Sequence, residues 1–333
     1  MQETSSRNPE RSPELLDDRT QPLPSHSRRS ERRRRKLEKS SVCAAKLPFS
    51  TRGLLDLPYE LLMAVLAFLR PSDLFVLSRI SKQIHDFIAL DEASIARAIV
   101  GLRYSTLERC LLRPVLMQDV DPAIRPLLNS PSRTDIRLSQ RAVYQNIPPP
   151  DSSLTCTCLT CLVRWDILCA VVDFAHWQDH LDRGEPIPTI PRGTFPAWNQ
   201  ELVVWNARVV IKSLTSPLWY ARILETHLES TIRSIRRHSQ NKADRRPHFE
   251  MTDEDVRAGT DVFLQREGPP FLEYVFSRDS YYMLEAFLPG RSWIAERQRW
   301  VYVANGQQWH DMDVELVVQC AALSNAESSC VGG

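Results

Sequence analysis

Three cysteines fall within six residues, Cys156, Cys158 and Cys161, a candidate group of metal-ligating or nucleophilic thiols. Fourteen residues separate Cys161 from His176, and His180 follows at i+4, so the order Cys-x2-Cys then His-x3-His approaches a Cys2His2 zinc spacing. A zinc finger needs a chain reversal between its two pairs. Residues 162–174 contain no glycine, proline or turn signal. A continuous helix there would hold the pairs ~22 Å apart, at about 1.5 Å per residue. Cys158, Cys161, Trp165, Leu168, Cys169 and Val172 fall instead at helical intervals and read as core, a role free cysteine often takes. The expectation is no metal and no cofactor. A partial cluster of Cys156, Cys158 and Cys161 completed by a distant ligand, such as Cys320 or a histidine, stays open, and it would be structural rather than catalytic.

Other chemistry is sparse. Trp177 stands where a zinc-protease helix would place its glutamate between His176 and His180. The chain has ten glycines and no phosphate-cradling loop, dinucleotide fingerprint or G-x-S-x-G elbow. No catalytic residues are expected. Arg28–Lys36 is a dense basic cluster that reads as a nuclear import signal, a nucleic-acid contact or a solvated tail. Arg233–Arg246 is a second, read as a solvated helix end or as a docking patch for an acidic or phosphorylated partner.

The elements that must position these residues are mainly helices. Residues 1–50 are polar and read as a disordered basic tail. Residues 93–155 read as a helical brace, Ile95 to Leu112, and a proline-rich connection with a short helix near Arg137–Tyr144. Residues 156–322 hold all eight tryptophans and read as a mainly helical domain, with 323–333 a flexible tail. Within that domain, Leu202 to Leu214 and Leu218 to Ile235 have helical spacing. Thr252 caps a helix from Val256 to Arg266; Tyr281–Phe287 suggests a further helix, and Trp300–Val303 a strand. No period of twenty to fifty residues recurs.

Three helical patterns crowd residues 53–90. Pro58 and Glu60 introduce a nine-residue apolar run, Leu61 to Leu69, too short to span a membrane. Pro71-Ser72-Asp73 opens a second helix carrying Leu74, Phe75, Leu77 and Ile80; Ser81 is the expected N-cap of a third carrying Ile84, Phe87 and Ile88. A unit this small buries little surface alone, so part of its apolar surface is expected to belong to a partner.

The pattern Leu57-Pro58-x-Glu60-Leu61-Leu62-x-x-Val65-Leu66-x-Phe68-Leu69, continued by Asp73-Leu74-x-x-Leu77-x-x-Ile80-Ser81-Lys82-x-Ile84, resembles an F-box. Ile84 and Ser81 depart from the Trp or Phe and the Cys that many members carry. In whole-chain character the sequence is similar to fungal F-box proteins without WD40 or leucine-rich repeats. The resemblance implies a mainly α fold: a three-helix module at 51–92 joined to the larger helical domain. It further implies docking on the Skp adaptor of a cullin–RING (SCF) ubiquitin ligase through Leu57, Pro58, Leu61, Leu62, Leu66, Leu74 and Leu77, with an unknown protein substrate presented by residues 156–322.

Net charge of +1 and the absence of a signal or transmembrane run support this reading, with no membrane or nucleic-acid partner expected and an intracellular place in nucleus or cytoplasm. The alternative is a zinc- or nucleic-acid-binding regulator in which residues 53–90 are only a structural helical hairpin.

Overall fold

The apolar spacings that read as helices become helices in the computed structural model, which describes residues 54–131, 133, 146–183, 185, 188, 190, 191, 193–240, 250–266, 291–294, 296, 299–302 and 307–330. Contacts divide the chain after Asp56; of the first unit only the 3-10 turn Leu54–Asp56 is described, and all other described elements belong to the unit from Leu57 onward. The basic cluster Arg28–Lys36 and the expected helices near Arg137–Tyr144 and Tyr281–Phe287 lie outside the described residues.

Three short helices come first: α1 (Tyr59–Ala67), α2 (Pro71–Leu77) and α3 (Lys82–Leu90). Ser81 caps α3 as expected, its hydroxyl accepting the Ile84 N–H at 3.2 Å. The brace expected as one helix is two, α4 (Glu92–Arg103) and α5 (Ser105–Cys110). Asp261 takes the N–H groups of Thr106 and Leu107 at 2.7 and 2.8 Å, which starts a new helix where local spacing would continue the old one. The short α6 (Arg125–Leu128) lies in the proline-rich connection.

Three long helices form the centre: α7 (Leu159–Asp182), α8 (Ala197–Thr215) and α9 (Pro217–Gln240), each packed on the other two. All seven apolar residues expected to line α9, from Leu218 to Ile235, are buried. On α8, Leu202, Val210 and Leu214 are buried, while Trp205 points outward, 59 % exposed. Helix α10 (Asp253–Ala258) opens on the expected Thr252–Asp255 capping box and ends at Gly259, whose φ of 58° is the left-handed cap that glycine favours. The strand expected near Trp300 is β2 (Arg299–Tyr302). It pairs antiparallel with β1 (Arg291–Ile294), in register Arg291↔Tyr302, and the final helix is α11 (Gln307–Cys330). No helix among the described residues is long and apolar enough to cross a membrane.

The first helices share a core with the long ones. Helix α1 packs on α4, and both α2 and α4 pack on α9. Buried Glu225 of α9 accepts the Ser72 N–H at 2.9 Å and the Ser72 hydroxyl at 2.6 Å, satisfying first-turn groups of α2 across 153 residues. Arg222 holds the same carboxylate at 3.1 Å. Replacing Glu225 by Ala strands these donors, and a cost of about 2–4 kcal/mol is expected in denaturant unfolding of the full chain. A loss under ~0.5 kcal/mol would show that the contact is peripheral.

His227, two residues further along α9, is fully buried, and burial pushes its pKa down from 6.5 to about 4. The folded protein therefore binds fewer protons here than the unfolded chain between those values. Stability from this group is complete above pH ~6.5 and declines as pH falls, with ~3 kcal/mol lost by about pH 4. A His227→Gln variant that folds should show a stability profile flatter by about that amount over pH 6.5–4. An unchanged slope refutes the assignment.

Candidate functional site

Helix α1 is apolar on two sides, one of them covered within the chain by α4. Leu62 and Leu66 are 3 % and 1 % exposed, on the helix that packs against α4. Leu61, Val65 and Phe68, spaced i, i+4 and i+7, form a second row left 43–66 % exposed. Leu57 and Pro58 extend the exposed surface at the helix start. Val76 and Ile80, on α2 and the turn after it, are likewise open at 64 % and 69 %.

Side-chain contacts fix this surface from behind. The Tyr59 hydroxyl donates to Asp91 at 3.0 Å, and its ring meets Phe87 edge-on with centroids 6.2 Å apart, tying the start of α1 to the end of α3. Arg103 donates to the carbonyl of Phe68 at the end of α1 and to those of Ala258 and Gly259, at 3.1 and 3.2 Å, at the end of α10. A cation at two helix C-termini satisfies carbonyls that have no partner within their own helices.

Of the seven residues expected to dock, the structure leaves Leu57, Pro58 and Leu61 on the surface and Leu77 half-buried. Leu62, Leu66 and Leu74 are buried within the chain, on helices that pack against α4 and α9, so the division between core and outward-facing residues, which the sequence leaves open, falls here. Their periodicity marks them as apolar without saying which neighbour they meet. Val65, Phe68 and Ile80, which belong to the apolar patterns, and Val76, which the patterns do not single out, enlarge the exposed set.

The cysteines occupy a second place. Helix α7 is continuous from Leu159 to Asp182, so His176 and His180 are carried away from Cys158 and Cys161, as the missing turn signals required. The histidine that does arrive is His310, on α11. The Sγ atoms of Cys156, Cys158 and Cys161 and a ring nitrogen of His310 all lie within 4.8 Å of one another, and all four residues are buried. His310 Nδ1 stands 3.3 Å from Cys158 Sγ and 3.4 Å from Cys161 Sγ. Hydrogen bonds to the Cys156 and Cys158 thiols, with burial, push the Cys161 thiol well above its ordinary pKa. The cysteines also border a small apolar core with Met117, Val120, Leu128 and Val317. Cys320, the other candidate ligand, is exposed. The expectation of core cysteines without metal does not account for the buried imidazole that joins them.

An open cleft of about 650 Å³ lies elsewhere, lined by His176, Trp177, Trp198, Glu201, Leu202 and Trp205 among others. Trp177 and Trp198 meet edge-on there, with centroids 5.8 Å apart. Of the second basic stretch, Arg233 pairs with Asp179 and Asp182 of α7 at 3.3 and 3.1 Å, which accounts for it as an inter-helix contact; residues 241–249 lie outside the described residues.

Neither a curated protein nor a solved structure matches this chain. One family model does, over the residues that form α1, α2 and α3 and the turns around them: residues 54–92 are an F-box domain.

Proposed function

We propose that this protein is the substrate-recognition adaptor of an SCF-type ubiquitin ligase, docking on the Skp adaptor through the outer row of α1. The observation that carries this reading is the coincidence of the F-box match at 54–92 with an exposed apolar row, Leu57, Leu61, Val65 and Phe68, on a helix whose inner row is already used. Exposed apolar side chains gathered on one small module mark a protein-binding surface. Half-buried Leu77 and exposed Val76 and Ile80 extend the contact along α2 and the turn after it.

The remaining helices would then hold the substrate. Among their features, the cleft bordered by Trp177, Trp198 and Trp205 has the concave, aromatic character of a binding site and is the first place to look. Transfer would gain from proximity alone: the adaptor brings substrate and ligase together and needs no catalytic side chain of its own.

Affinity isolation of the full chain with the Skp adaptor tests the reading. Leu57→Ala combined with Pro58→Ala, and separately Leu61→Asp, should each leave the unfolding midpoint nearly unchanged and weaken adaptor binding by ~30-fold or more. Leu62→Ala, a core change, should instead cost about 2–5 kcal/mol of stability. Full adaptor binding by the folded Leu61→Asp and double variants would sink the proposed surface.

A further inference from the structure

We infer that Cys156, Cys158, Cys161 and His310 form a structural zinc site that fastens the C-terminal helix α11 to the start of α7. The donor set is three sulfurs and one imidazole nitrogen, the soft and borderline ligands that favour zinc in a tetrahedral site. With Zn–S near 2.3 Å and Zn–N near 2.0 Å, tetrahedral geometry separates the ligand atoms by roughly 3.5–3.8 Å. The four atoms here lie within 4.8 Å of each other, and His310 Nδ1 stands 3.3 and 3.4 Å from the Cys158 and Cys161 sulfurs. Small rotations about the side-chain torsions complete such a geometry.

Backbone donors face all three sulfurs. Each sulfur accepts a backbone N–H: Cys156 from Cys158 at 3.5 Å, Cys158 from Cys161 at 3.4 Å, and Cys161 from Val115 at 3.4 Å. Donors aimed at ligating sulfur spread its charge and fix its orientation. Three thiolates, a neutral imidazole and Zn²⁺ sum to one negative charge, and loading the site releases one proton to solvent from each thiol that ionises. All four ligands are protein side chains and all are buried, so no position is left for water or substrate, and the role is structural rather than catalytic. Apolar packing gives no reason for an imidazole to leave water for a nest of thiols, whereas coordination does.

Asp313, one turn beyond His310, supports the same junction by accepting the Thr160 N–H at 2.7 Å in the first turn of α7. Val314 and Val317 continue that face of α11 onto the core beside the cysteines. The metal would thus close a loop between distant parts of the chain, Cys158 and His310 being separated by 152 residues.

Metal analysis of the full chain, purified without added zinc, should give one zinc per molecule. Exchange for Co²⁺ should give the thiolate-to-cobalt charge-transfer and visible d–d bands of a tetrahedral, sulfur-rich site. Cys158→Ser or His310→Ala should lower zinc affinity by ~100-fold or more, while His310→Cys, which keeps four ligands, should retain both metal and spectrum. Wild-type protein that takes up neither zinc nor cobalt with these bands overturns the inference, as does a folded His310→Ala variant with unchanged metal content. If His310→Ala fails to fold, the wild-type cobalt spectrum and His310→Cys decide alone. These readouts do not depend on adaptor binding.

Discussion

Four helix N-termini in this protein are satisfied from far away, and the arrangement of those helices depends on that. The first backbone N–H groups of a helix have no partner inside it, and the helix dipole favours negative charge beside them. Glu225 serves α2, Asp261 serves α5 and Asp313 serves α7, each a carboxylate set against a first turn. Glu92, in the first turn of α4, accepts the Leu218 N–H at 3.0 Å and the Ser216 hydroxyl, and so serves α9. The contacts span 124 to 155 residues of sequence. Each both completes a helix and selects which distant segment lies beside it. Arg103 does the complementary work at the C-terminal ends of α1 and α10.

This scheme explains how an F-box domain of 39 residues, 54–92, is held without a large core of its own. Leu62, Leu66 and Leu74 face inward and are covered by α4 and α9, while Glu225 fixes the start of α2. The inner row is spent on cohesion, so the outer row is available for recognition. A helix apolar all round is normally buried all round. In α1 one side meets its own chain and the other is open, and the nine-residue run Leu61 to Leu69 is the sequence trace of both.

What the sequence made legible was local. Ser81 as an N-cap, the Thr252–Asp255 capping box, the stripe of α9 and the unbroken course of α7 all depend on residues within a few positions of each other, and all appear as expected. What stayed hidden was long-range. Nothing near Thr106 announces that Asp261 will break the brace at Tyr104, and nothing near Cys161 announces His310. The missing turn between Cys161 and His176 was enough to exclude His176 and His180, but the histidine nearest in space lies far off in sequence. The split of α1 between core and surface was hidden for the same reason: it is set by where α4 lies, and periodicity carries no information about that.

The Glu225–Ser72 contact has a consequence for the order in which the chain is made. At roughly 5–20 residues per second, α2 leaves the ribosome about 8–30 s before the carboxylate that completes it, which is encoded 153 residues later. During that interval Leu74 lacks the α9 side chains that cover it. Topologies of this kind fold slowly, because distant loops must close before their contacts contribute. The core beneath residues 54–92 is thus completed only once α9, which ends at Gln240, has been synthesised.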